Sequence, residues 1–311
     1  MEGTVFRSTG SWYDVRTDDG EAFACRAKGK LRLKGDRSTN PVAIGDRVDF
    51  AVEEDGTGVV SRIHERRNKI VRRAVNLARE SHVVAANVAR AFLVVTVGEP
   101  ATSSGFIDRF LVSAEAFGVP TTLVFNKVDA VQPDTAEADR MEELEANYAL
   151  AGYRSVRTSA ATGEGVEDLA QLLTAGNNLF SGHSGVGKSS LINRLVPGLD
   201  LRTSEVSETH GKGKHTTTFA EMFPLPERAG FIMDTPGIKG FGLVHLERET
   251  LHHQFPELFD RLPHCRFHNC LHRSEPGCAV REAVGQGDVA AERYYNYLEL
   301  YEGWDTQNSY R

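Results

Sequence analysis

The sequence predicts a multi-domain chain: an N-terminal OB-type β-barrel, an α/β domain of the P-loop class, and a C-terminal, mainly helical, metal-bearing tail. Three observations carry this. Residues 1 to 68 alternate short β-rich runs with turn signals and hold no helical pattern. Gly182-His183-Ser184-Gly185-Val186-Gly187-Lys188-Ser189 lies between an apolar run and an amphipathic one, where a phosphate-binding loop belongs. Three of the four cysteines fall between Cys265 and Cys278, with two histidines among them.

At 311 residues the chain exceeds what one hydrophobic core usually supports, so two or three domains are expected. Its 40% hydrophobic and 25% charged residues are those of a globular protein. A net charge of -7 excludes a globally basic nucleic-acid binder but leaves room for a local basic patch. Met1-Glu2-Gly3-Thr4-Val5-Phe6-Arg7 lacks the apolar core of a signal peptide, and no apolar run is long enough to span a bilayer. A cytoplasmic protein with no membrane partner is expected, and in a reducing compartment clustered cysteines favour metal over disulfide.

In chain order, Gly3–Phe6, Trp12–Arg16, Ala22–Arg26, Val48–Val52 and Gly58–Ile63 read as strands, separated by Asp18-Asp19-Gly20, Asn40-Pro41, Ile44-Gly45-Asp46 and Asp55-Gly56. So many short strands suggest a closed barrel of the OB type, either a nucleic-acid binder or a spacer. Cys25 sits in a strand pattern as a small core residue. Arg62, Arg66, Arg67, Lys69, Arg72, Arg73 and Arg79 follow, opposed locally by Glu65 alone until Glu80. This basic stretch reads as a linker over 69–82, its charges either solvated or facing nucleic-acid phosphates.

The middle domain is expected over 83–245. Val83-Val84-Ala85 and Ala91–Val97 are apolar enough for strands buried on both faces of a parallel sheet, Ile107–Phe117 reads as a helix, and Thr121–Phe125 as another buried strand. That strand ends in Asn126-Lys127-Val128-Asp129, which resembles the base-specifying motif of guanine-nucleotide-binding proteins. The chemistry suits guanine: Asp129 can accept from N1–H and the exocyclic amine, a donor pair adenine lacks, while Asn126 bonds the other edge and the Lys127 stem covers the ring. Ser159-Ala160 resembles the loop that completes such a pocket through backbone N–H.

In the phosphate loop Gly182, His183, Ser184, Gly185, Val186 and Gly187 would turn backbone N–H groups toward phosphates at a helix N-terminus. Lys188 would reach the β- and γ-phosphates and Ser189, followed by Ser190, would ligate Mg²⁺. Ser204–Thr218 is polar, as a mobile switch should be; Thr217, weighed against Thr216, would complete the Mg²⁺ shell. Phe219–Phe223 and Gly230–Met233 read as strands, the second delivering Asp234 to the Mg²⁺ shell through water and the Gly237 N–H to the γ-phosphate. Ordinary GTPases place the phosphate loop first. Here the base motifs precede it and Asp234-Thr235-Pro236-Gly237 follows it, so the domain reads as a circularly permuted GTPase, a cut that loops at one sheet edge tolerate. Where Ras-like GTPases carry a water-orienting glutamine this chain has Ile238, which moves the search for a catalytic group to His215, read either as that group or as a polar switch residue.

Within the tail, 246–311, Cys265, Cys270, His272 and Cys278 make a Cys₃His set suited to tetrahedral Zn²⁺, with His268 a competing imidazole and His264 and His253 further off. Val289–Trp304 reads as a helix whose Arg293, Tyr294, Tyr295, Tyr297 and Tyr301 would meet RNA or pack on the metal core.

Barrel, permuted GTPase and Cys₃His tail together resemble the bacterial ribosome small subunit-dependent GTPase A family over essentially the whole chain. The family's usual Gly-Arg-His-Thr-Thr-Thr appears here as Gly213-Lys214-His215-Thr216-Thr217-Thr218, and its functional histidine maps to His215. The resemblance implies GTP hydrolysis to GDP in late maturation of the 30S subunit, stimulated by that subunit, with 16S rRNA rather than DNA as the nucleic acid, one structural zinc, and a monomer. A GTP-binding RNA scaffold and a P-loop ATPase or small-molecule kinase are the alternatives; Asp129 argues against the latter.

Overall fold

A computed structural model of the chain describes residues 1–29, 31, 41–73, 81–201, 219–226, 228–235, 243 and 246–304. Strands β1 (Glu2–Ser8), β2 (Trp12–Arg16), β3 (Ala22–Ala27), β4 (Arg47–Val52) and β5 (Gly58–Ile63) form the barrel. They pair in the order β1-β2-β3-β5-β4, and β4 returns to β1 to close the ring. Alternation aims Val5, Tyr13, Val15, Val48, Phe50 and Val60 inward with Cys25, all buried. A Cβ on Gly58 would stand 2.3 Å from the Cys25 sulfur, so the barrel is packed to the limit there.

The described ends of the stretch read as a linker are strands. Lys69–Arg73 forms β6 and pairs antiparallel with β7 (Ser81–Ala86). The reason is apolar: Ile70, Val71, Val83 and Ala85 are buried between barrel and sheet, so Val83-Val84-Ala85 belongs to this ribbon and not to the parallel sheet. Arg66, counted in the basic run, is turned inward. Its Nε and Nη2 donate to the Asp46 carboxylate at 2.7 and 2.8 Å, and both side chains are nearly inaccessible to solvent.

Next come β8 (Val88–Val95), α1 (Ser104–Ala116), β9 (Thr121–Asn126), α2 (Ala136–Leu150), β10 (Arg154–Thr158), α3 (Val166–Leu172), β11 (Asn177–Ser181), α4 (Lys188–Leu195), β12 (Ala220–Pro224) and β13 (Phe231–Asp234). Strands β10-β9-β8-β11-β13 are parallel in that order; β12 runs antiparallel to β13 and pairs on its far side with β1, so barrel and α/β domain share one sheet. The chain winds outward from β8 in one direction and from β11 in the other, which puts the topological switch point between those two neighbours, where ligands of such sheets bind.

Beyond residue 246 lie α5 (Pro256–Phe259), α6 (Ala279–Gln286) and α7 (Ala291–Glu302), packed around Leu251, Phe255, Leu258, Val280 and Tyr297. This core meets the α/β domain along α1. One side of that helix, with Phe106, Ile107, Phe110 and Leu111, covers the sheet, while Val112 joins the C-terminal cluster. The contact is sealed by charge: Arg293 of α7 is buried, with Nη1 on Asp108 of α1 at 2.5 Å, Nε and Nη2 on Glu257 at 2.5 and 3.0 Å, and Asn296 donating to the second Asp108 oxygen at 2.6 Å. Burial pushes the Asp108 carboxyl up to about 6, with the Arg293 guanidinium and the Asn296 amide working against it. Replacing Arg293 by Met should cost about 3–5 kcal/mol, because two carboxylates stay buried without their cation; a urea unfolding curve measures it, and an unchanged midpoint would show that the pair is not what joins these units.

Candidate nucleotide site and metal centre

Four strand ends meet at the switch-point edge. The register places Asn126 beside Thr158 and Phe180 beside Asp234, so base motif, phosphate loop and Asp234 share one rim despite their scrambled order in the chain. The phosphate loop is built on steric necessity. Gly182 has φ +147° and an added Cβ would stand 2.3 Å from the Val94 carbonyl oxygen; Gly187 has φ +91° and its Cβ would stand 2.3 Å from the Asn126 amide nitrogen. Val186 is buried in the core beneath, and Ser184 and Gly185 are exposed. Ser189 and Ser190 lie half-buried in the first turn of α4.

Lys188, also buried, turns back across the loop and donates to the carbonyls of Gly182 at 2.9 Å and His183 at 2.7 Å. Burial lowers its pKa to about 8, with Asp234 pulling the other way. The His183 ring stacks on Phe106 of α1, centroids 3.7 Å apart, and burial together with Lys188 holds its pKa below the usual histidine range. Nothing in the sequence marked Phe106 as part of the site.

Asn126 ties neighbouring loops together. Its buried amide donates to the Val186 carbonyl at 2.8 Å, and its carbonyl oxygen accepts from the Thr158 hydroxyl and the Ala160 N–H, each at 3.2 Å. Lys127 adopts the left-handed conformation, φ +65°, and its ammonium reaches the Glu99 carbonyl at 2.8 Å; the turn Val128–Ala130 then leaves Val128 half-buried and Asp129 exposed at the rim. The loop Ser159-Ala160 differs from expectation. The Ser159 N–H is bonded to the Glu164 carbonyl and the Ala160 N–H to Asn126, so both donors assigned to the base are held within the protein. Asp234 is fully buried and Thr235 donates to the Phe180 carbonyl at 3.1 Å. His215, Thr217, Gly237, Thr216 and Ile238 lie outside the described residues.

In the tail, the ligand atoms of Cys265, Cys270, His272 and Cys278 all lie within 4.8 Å of one another. His272 Nδ1 stands 3.6 Å from the Cys265 sulfur and 3.4 Å from that of Cys278. Zinc bond lengths at a tetrahedral angle put nitrogen and sulfur about 3.6 Å apart, so the donor set and its spacing fit the ion. Burial drives Cys270 up to about 12 and His272 down to about 4, which keeps the imidazole in its neutral, ligating form. The Glu275 carboxylate braces the turn, accepting from the N–H groups of Leu271, Arg273 and Ser274 at 2.9, 2.8 and 3.0 Å. His268, His264 and His253 are exposed and outside the cluster. Tyr294 and Tyr297 of α7 donate to the His272 and Leu271 carbonyls at 2.7 and 2.6 Å, so these aromatics pack on the cluster; Tyr295 alone among them is exposed.

A family model described as RsgA GTPase matches residues 63–244 and one described as RsgA N-terminal domain matches residues 2–60. A protein of Bacteroides fragilis named Small ribosomal subunit biogenesis GTPase RsgA is 53% identical over 302 residues, covering 97% of this chain and 96% of its own. One of the same name from Christiangramia forsetii is 48% identical over 315 residues, covering 100% and 98%. Among solved structures, YjeQ from Thermotoga maritima superposes with a TM-score of 0.74 at 35% identity over 97% of each chain. YloQ, described as a circularly permuted GTPase, does so with a TM-score of 0.70 at 27% identity over 100% of this chain and 96% of its own.

The two carbonyls are weak partners for an ammonium, and a phosphate put in their place would raise the Lys188 pKa. Above about 8 the free protein carries this lysine largely neutral while the complex keeps it charged, so binding takes up a proton. GDP affinity should therefore be level below pH 8 and fall by up to about tenfold per unit above it; an affinity independent of pH from 7 to 10 by titration calorimetry would contradict the assignment.

Proposed function

This chain belongs to the RsgA GTPase family and hydrolyses GTP, and from that premise we propose that it does so in biogenesis of the small (30S) ribosomal subunit, engaging 16S rRNA as a cytoplasmic monomer. The observation that carries the reading is the convergence of base motif, phosphate loop and Asp234 on one rim, with a barrel joined to the sheet through β12 and the core that carries the Cys₃His cluster packed along α1. Among the described residues no helix is long and apolar enough to cross a membrane.

Gly182 to Ser190 cradle the phosphates, Lys188 taking the β- and γ-oxygens once it leaves its two carbonyls. Asp129 and the Asn126 to Val128 turn fix guanine, and the Ser159-Ala160 loop joins them once an N–H there leaves its internal partner. Ser189 and Thr217 hold Mg²⁺, with the buried Asp234 carboxylate behind them; when bound, the ion neutralises charge on the β- and γ-phosphates. Gly237 meets the γ-phosphate. His215 orients the water that attacks the γ-phosphorus as the bond to the β,γ-bridging oxygen breaks, a task Ile238 cannot do. Cys265, Cys270, His272 and Cys278 hold Zn²⁺, which organises the turn that α7 packs on.

The chain divides functionally into the barrel (1–68), the permuted GTPase domain (83–245) and the zinc-binding tail (246–311); the barrel interior has a cluster of its own, while Phe6 and Ile44 pack with the α/β core and Val112 with the tail. Exposed cations of the barrel such as Arg62, its side chain 71% accessible, face rRNA; the buried Arg66 does not. Turnover measured with and without isolated small subunits, in wild type and His215→Ala, tests this. Stimulation is expected, weakening steeply with salt as phosphate contacts are lost, and His215→Ala should bind GTP but hydrolyse it roughly 100-fold or more slowly. No stimulation at saturating subunits would overturn the subunit assignment, and unchanged turnover that of His215.

A further inference from the structure

The peptide N–H groups of the loop after β10 are held inside the loop or by Asn126. Ser159 N–H bonds to the Glu164 carbonyl and Gly163 N–H to the Ser159 carbonyl, both at 2.9 Å, while the Thr162 N–H bonds to the Ser159 hydroxyl at 3.0 Å. These contacts give the loop its shape. They do not fix its height above the sheet. Asn126 does so from one side by accepting from the Ala160 N–H. From the other side a single residue grips the next two carbonyls: Arg194 donates from Nε to the Ala160 carbonyl at 3.0 Å and from Nη2 to the Ala161 carbonyl at 2.7 Å. Its guanidinium passes over Gly163, where an added Cβ would stand 3.7 Å from Nη1.

Arg194 belongs to the last turn of α4, the helix that Lys188 begins. One short rigid helix therefore holds the phosphate-binding lysine at its start and, at its end, the loop on the base side of the site. We infer that Arg194 is a positioning residue for guanine recognition, setting the distance between the loop at 159–161 and the phosphate loop. This rests on the reading of Asn126 to Asp129 and Ser159-Ala160 as the base site. The geometry favours arginine: two donors in a planar fork match two successive carbonyls, while a lysine offers one ammonium. Arg194 is exposed, so its removal takes little from the core.

The test uses the full chain with Arg194→Met and Arg194→Lys and reads affinity for GDP and for inorganic tripolyphosphate, which has phosphates and no base. Arg194→Met should weaken GDP by roughly tenfold, the loss of charge-assisted hydrogen bonds, and raise KM for GTP at unchanged kcat. Tripolyphosphate affinity and the melting midpoint should hold, and Arg194→Lys should recover part of the loss. Unchanged GDP affinity would overturn the inference; so would equal weakening of both ligands, which would make Arg194 a brace of α4. Asp129→Asn, which should trade guanine for xanthine, separates the two levels. If it loses GDP while Arg194→Met does not, the positioning role alone falls; if neither changes GDP binding, the base-site reading falls with it.

Discussion

The side chain of Asn126 holds this site together. A circularly permuted chain must bring together loops encoded around 126, 159 and 182 in an order that offers no help from local connectivity, and loops at strand ends are not rigid by themselves. Asn126 solves this with one buried amide: its N–H grips the Val186 carbonyl inside the phosphate loop, and its oxygen receives Thr158 and Ala160 from the loop after β10. The glycine at 187 is part of the same arrangement, because a methyl group there would occupy the place of that amide. Parallel strands β9, β11 and β10 supply the common edge; the amide fixes the loops relative to one another.

A second constraint joins the tail to this edge. Helix α1 is covered by the sheet on one side and by the C-terminal core on the other, and Asp108 on it is bound to a buried arginine from α7. The same helix carries Phe106, stacked on His183 of the phosphate loop, while α7 carries the two tyrosines that hold the backbone of the cysteine turn. The phosphate loop and the Cys₃His turn are therefore linked by two helices and one ion cluster. At the β12 edge of the α/β sheet, β1 of the barrel pairs with β12, so the barrel too is continuous with that sheet.

Much of this was legible in the sequence, and the reasons are local. The phosphate loop and the cysteine turn are short, their residue types are dictated by sterics or by ligand chemistry, and their spacing is visible without knowing the fold. The Asn126 to Asp129 motif was placed by the buried strand before it, and the permutation by the order of motifs. What escaped were partnerships across long separations. Arg293 reads as a residue that meets RNA or packs on the metal core, yet its partners are Asp108 and Glu257. Arg66 reads as one of a run of cations, yet its carboxylate is Asp46, reached only once the barrel has closed. The run itself concealed Ile70 and Val71, whose burial makes a strand of a presumed linker. The hydrogen bonds that hold Ser159 and Ala160 had no signature at all, because backbone donors look alike in every sequence.

The central claim is that one amide couples the phosphate side of the site to the base side. Asn126→Asp keeps the size and the acceptor but sets a carboxylate oxygen against the Val186 carbonyl, where the donor now sits at 2.8 Å. The direct measurement is equilibrium binding of inorganic tripolyphosphate to this variant, compared with wild type after melting curves show both folded. Since the ligand has no base, the account predicts at least roughly tenfold weaker binding, one lost buried hydrogen bond transmitted to the phosphate loop. Unaltered tripolyphosphate affinity, with loss confined to GDP, would contradict it and leave Asn126 as a base contact alone.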